Sequence, residues 1–177
     1  MEHQLKRITT KDLTLLSKII ILFAGIIIGF ICIRIFFLLM TIKSDSMNPT
    51  LKAGDKIVIN KMSGIKKGDI AAIESPTERN NILILRIIAS EHETVEIRNK
   101  EVFINDKRID IIADSTRDKK NIYPMKFCYR DNMPPLQLDR NEYFVLGDNF
   151  DKSYDSRIFG KIQKNIIIGK VIYHSGK

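Results

Sequence analysis

The chain has 177 residues, of which 44% are hydrophobic and 28% charged, and it carries a formal net charge of +8. That length allows one compact domain with an appended segment but not two full domains, and the composition excludes a disordered or collagen-like chain. Beyond the N-terminal segment the basic residues are interleaved with acids, as from Glu93 to Lys107, which reads as solvated surface and disfavours a nucleic-acid partner.

Lys6, Arg7, Lys11 and Lys18 precede an apolar stretch over residues 19–42 that only Arg34 interrupts. A helix of about 24 residues rises ~36 Å, enough for a hydrocarbon core of ~30 Å. Arg34 and bulky aromatics stand where a cleavage site would need small residues, so the segment is expected to remain as an anchor. The basic flank predicts a cytoplasmic N-terminus. The expected layout is a cytoplasmic tail over residues 1–18, a single-pass anchor in the cell membrane over 19–42 and an extracytoplasmic domain over 43–177. Arg34 either snorkels to the lipid headgroups or lies beyond a span that starts near Leu13. Cys32, in the span, is not expected to pair with Cys128, in a polar region. No Cys/His cluster has metal-ligand spacing, so neither metal nor cofactor is expected.

After Lys43 the period shortens to that of strands: Asp55–Asn60, Asp69–Glu74, Ile82–Ala89, Thr94–Arg98, Glu101–Ile104, Glu142–Leu146 and Ile166–Tyr173, each rich in Ile and Val. A mainly β domain is expected, either two packed antiparallel sheets or a partly open barrel. Asp110 to Leu138, with Pro124, Pro134 and Pro135, reads as a long loop or lid.

Just past the apolar stretch stands Ser44-Asp45-Ser46-Met47-Asn48-Pro49-Thr50-Leu51, followed by Gly54-Asp55. A second block runs Gly147-Asp148-Asn149, then Ser153, Asp155-Ser156-Arg157 and Gly160, and a third spans Ile84 to Asp106 around Arg86. In chain order behind an anchor, with the third block between the other two, they resemble the type I signal peptidases over roughly Ser44 to Gly160. The resemblance implies a membrane-apposed all-β serine endopeptidase that removes signal peptides ending in small residues from secretory preproteins. It implies Ser46 as nucleophile and Ser44 as the oxyanion-hole hydroxyl, with Ser153 orienting the base. Asp148, Asp155, Arg157 and Arg86 are then the supporting scaffold.

The family's base is a lysine directly before the arginine, and that position is Leu85 here, which cannot accept a proton. His92 and Lys61 are the candidate substitutes, one seven residues along beyond a strand end and one reading as a surface charge. Two readings therefore stand beside each other: a working peptidase, and a silent relative that binds precursors or a partner peptidase without cutting. A self-cleaving repressor of the Ser-Lys type shares the serine-methionine pair, but it predicts a DNA-binding helical domain rather than an apolar span.

Overall fold

The computed structural model describes residues 10–110, 118, 120–126 and 129–175; the flank carrying Lys6 and Arg7, and Cys128, lie outside the described residues. Helix α1, Thr10–Phe36, is apolar around its circumference, and its large side chains from Leu15 to Phe36 are exposed. Its stretch Thr14–Phe36 is long and apolar enough to cross a bilayer. Arg34 is accommodated within the helix itself, its guanidinium 5.6 Å from the ring centre of Phe30 one turn earlier.

The helix stops earlier than the apolar run. Phe37–Thr41 is a strand, β1, not the last turns of a helix reaching residue 42. Pairing decides this: β1 lies beside β2, Lys56–Asn60, and the ladder continues as Ile42 donates its N–H to Asp55 O at 2.8 Å while Gly54 donates to Ile42 O at 2.9 Å. Ile42 is thereby buried in the domain core.

From residue 38 onward the chain is a mainly β domain. With β3 (Ile70–Glu74), β4 (Ile82–Ala89), β9 (Glu142–Leu146), β10 (Ile162–Gln163) and β11 (Ile167–Ser175), the larger sheet runs β1-β2-β11-β3-β4-β9-β10. The smaller sheet runs β7-β6-β5-β8, from β5 (Thr94–Arg98), β6 (Glu101–Ile104), β7 (Lys107–Ile109) and β8 (Met133–Gln137). The turns Asn99-Lys100 and Asn105-Asp106 join β5 to β6 and β6 to β7. All four residues have positive φ, the backbone of two-residue hairpins.

Strand alternation sorts the core. In β4, Ile84 packs with Met47, Leu51, Ile57, Ile59 and Ala72 on one face, while Leu85 and Ile87 pack with Ala71, Ile73 and Val145 on the other. Between the sheets, Val95, Ile97, Val102 and Ile104 meet Ile88, Phe144, Leu146 and Phe150. β8 corrects the expected loop, since Met133-Pro134-Pro135-Leu136-Gln137 is a strand. It is tolerated because β8 lies at the sheet edge, where two missing N–H donors break few bonds, and the register with β5 slips between Val95 and Ile97.

Candidate active site

Ser46 lies in a turn that is anchored on its C-terminal side. Met47 and Leu51 are fully buried, Leu51 donates its N–H to Met47 O at 2.9 Å, and Asn48 donates to Asp45 O at 3.1 Å. Burial of these neighbours fixes the backbone and leaves Ser46 half-buried, its Oγ 3.0 Å from Ser44 Oγ in a shared hydrogen bond.

The loop after β9 closes on that turn. Asn149 donates its N–H to Ser46 O at 2.9 Å and its side-chain amide to Asp45 O at 3.0 Å. Gly147 is packed so closely that a Cβ there would lie 2.1 Å from Ser153 Oγ and 2.4 Å from Ser46 O. Ser153 and the Ser46 carbonyl therefore crowd the same face of Gly147. Two buried ion pairs brace this glycine. The Asp155 carboxylate accepts from Gly147 N–H at 3.1 Å and from Arg157 Nε at 2.8 Å, and Arg157 donates onward to Phe150 O at 2.6 Å. Asp148 accepts from Arg86 Nε at 2.7 Å and from the Thr50 hydroxyl, while Arg86 also donates to Gly68 O at 2.7 Å. Thr50 thus ties the Ser46 turn to the Asp148–Arg86 pair.

One cluster departs from the surface expected between Glu93 and Lys107. Lys100 is only 2% exposed, and its Nζ lies 2.9 Å from Asp151 and 3.8 Å from Asp131. An alternating charge pattern cannot distinguish a solvated lysine from one whose hairpin turns it inward toward carboxylates. Burial pushes the Asp131 carboxyl up, but hydrogen bonds from Arg130 and the Tyr123 N–H, with the charges of Arg130 and Lys100, outweigh it and hold the group below the usual carboxylate range.

Ser44 and Ser46 open onto a cavity of about 370 Å³. Residues 40–46 form one wall and Ile82, Leu83, Ile84 and Leu85 of β4 another, with Lys152 and Tyr154 from the loop after β9. β9 pairs with β4 only from Arg86 onward, so among the described residues no strand covers 82–85 on that side. Leu85 is 1% exposed, and Ser153 Oγ is buried with no hydrogen-bond partner among the described residues. Neither His92, exposed in the turn after β4, nor Lys61, exposed after β2, lines the cavity. Lys43 and Lys152 do line it, and sequence reasoning missed both; for Lys152 the available signal was its place immediately before Ser153.

Residues 14–174 match the family model described as signal peptidase, peptidase S26. The chain is 31% identical over 170 residues to signal peptidase IB of Staphylococcus aureus, covering 90% of this chain and 88% of that one. It is 30% identical over 149 residues to the chloroplastic thylakoidal processing peptidase 1 of Arabidopsis thaliana, covering 75% of this chain and 40% of that protein. A crystal structure of a signal peptidase I from Enterococcus faecalis aligns with a TM-score of 0.48 at 27% identity, covering 61% of this chain and 97% of that one. The family match over nearly the whole length, together with the relative of similar extent, makes this chain a member of the peptidase S26 signal peptidase family.

Proposed function

We propose that the chain is a membrane-bound serine endopeptidase that removes N-terminal signal peptides from secretory preproteins after small residues, with Ser46 as nucleophile. The observation that carries this reading is the half-buried Ser46 hydroxyl on the wall of an open cavity, hydrogen-bonded to Ser44 and fixed from behind by Asn149. Attack by Ser46 Oγ on a peptide carbonyl makes an oxyanion, and the Ser44 hydroxyl and the Ser46 N–H are the donors assigned to it. The open edge of β4 at residues 82–85 suits an extended substrate, whose backbone can pair there while its side chains fill the cavity. Arg86, Asp148, Asp155 and Arg157 hold Gly147 and the nucleophile turn in register, and Ser153 belongs to the same support.

The same reading makes residues 1–18 the cytoplasmic tail, α1 over residues 19–36 the single anchor in the cell membrane and the β domain extracytoplasmic, with lipid and preproteins as partners. Leu85 stands, in this reading, where the family carries its lysine: it directly precedes Arg86, whose guanidinium holds Asp148, and Ser153 Oγ is left without a partner. That orphaned hydroxyl also favours the second reading, a silent relative that binds precursors without cutting them.

The test is cleavage of a preprotein in proteoliposomes by the unaltered chain, by Ser46→Ala and by Leu85→Lys. Cleavage by the unaltered chain that Ser46→Ala abolishes is the expected result. Cleavage by Leu85→Lys alone would make the unaltered chain the silent relative.

A further inference from the structure

We infer that Lys152 is the proton acceptor for Ser46, an inference that rests on the peptidase reading above. Among the described residues, the charged side chains lining the cavity with Ser46 are Lys43, Asp45 and Lys152. A carboxylate is a poor base toward an alcohol, so an amine is the better match. Lys152 is the better placed of the two lysines. Its N–H donates to Asn149 O at 3.1 Å, closing a turn whose first residue is itself bonded to Ser46 O at 2.9 Å. The residues on either side are fixed: Asp151 by the buried Lys100, and Ser153 against Gly147. Tyr154, which also lines the cavity, is held by Thr77 at 3.1 Å and packs at a tilt against the Phe159 ring. Along this loop Lys152 and Tyr154 thus line the cavity, while Ser153 between them is buried. Among the described residues no hydrogen bond or ion pair engages the Lys152 ammonium, so its four-carbon stem is free to swing toward Ser46.

The chemistry balances without a co-reactant. As Ser46 Oγ bonds to the scissile carbonyl carbon, its proton passes to the neutral Lys152 amine and the carbonyl π electrons move to oxygen. Collapse of that oxyanion breaks the C–N bond, and the Lys152 ammonium returns the proton to the departing amine of the mature protein. Water then gives a proton to Lys152 and attacks the ester carbon; the proton goes back to Ser46 as the signal peptide leaves as a carboxylic acid. A peptide seated along β4 would close the cavity over the Lys152 side chain.

The test uses the full chain in proteoliposomes with Lys152→Met, Lys152→Cys and Lys43→Met. Two readouts are taken: preprotein cleavage, and labelling of Ser46 by a fluorophosphonate. Lys152→Met is expected to lower kcat and the labelling rate by ~10²-fold or more with KM little changed. Treating Lys152→Cys with 2-bromoethylamine, which rebuilds a lysine-like amine, should restore at least a tenth of both. The unaltered chain treated in the same way controls for Cys32 and Cys128. Labelling of Ser46 that depends on Lys152, without preprotein cleavage, would sustain the inference and overturn the peptidase reading. Retention of both rates within threefold in Lys152→Met, loss in Lys43→Met alone, loss without rescue, or no labelling of Ser46 in the unaltered chain would each overturn the inference.

Discussion

Replacing Gly147 by alanine tests how tightly the Ser46 turn is held. The added Cβ would stand 2.1 Å from Ser153 Oγ, 2.4 Å from Ser153 Cβ and 2.4 Å from Ser46 O, where ordinary contact begins near 3.4 Å. Gly147 has no left-handed backbone, so the effect is steric and not conformational. Ser153 can be pared away, but Ser46 O is backbone, fixed by Asn149 at 2.9 Å, and must retreat by about 1 Å. With Ser46 as the proposed nucleophile, a displacement of that size costs ~10²-fold in rate. Overpacking of this kind costs ~1–3 kcal/mol, which in a domain of this length lowers the melting temperature by on the order of 5 °C. Cleavage kinetics and thermal unfolding monitored by circular dichroism read the two effects separately. The double variant G147A/S153G removes two of the three clashes and should recover much of the stability without the turnover. If G147A cleaves within threefold of the unaltered chain and melts at the same temperature, the carbonyl of Ser46 is not fixed by that face of Gly147, and the account of the site fails.

Three further outcomes are expected. Ser153→Ala should be neutral or stabilising by ~1 kcal/mol in urea titration, because the deleted hydroxyl is buried without a partner; a loss of 2 kcal/mol or more would reveal a bond that the structure lacks. Breaking the Arg86–Asp148 pair, whose side chains are 15% and 2% exposed, by Arg86→Met should destabilise by about 3–5 kcal/mol because a buried carboxylate loses its counter-ion. Asp131→Asn should destabilise the fold at neutral pH. Because the folded Asp131 carboxyl titrates below its usual range, its contribution is fully present above about pH 4 and is lost as pH falls through the folded value. The gap between variant and unaltered chain should therefore be constant at neutral pH and close in acid. A gap that closed between pH 6 and 8 would point to another group.

The strands that alternate Ile and Val, such as β4 with Ile84 and Leu85 on opposite faces, were legible because period-2 burial writes itself into sequence. The Ser46 turn and the Gly147–Arg157 loop stood out only through their resemblance to a family, since a serine in a polar turn carries no such signal by itself. β1 was not, since Phe37–Thr41 continues the apolar run of α1 without a polar break, and only the partner strand β2 makes it extended. β8 was hidden by Pro134 and Pro135, which argue against a strand except at an edge. The inward turn of Lys100 and the orphaned hydroxyl of Ser153 depend on contacts with Asp151 and Gly147, some fifty and six residues away, which no local pattern reports.

Pro134 and Pro135 have one more effect. A protein that handles preproteins, which arrive unfolded with their own amides unsatisfied, risks being zipped up by its clients along any bare margin. Two successive residues without an N–H make the β8 side of the smaller sheet a poor template for such growth.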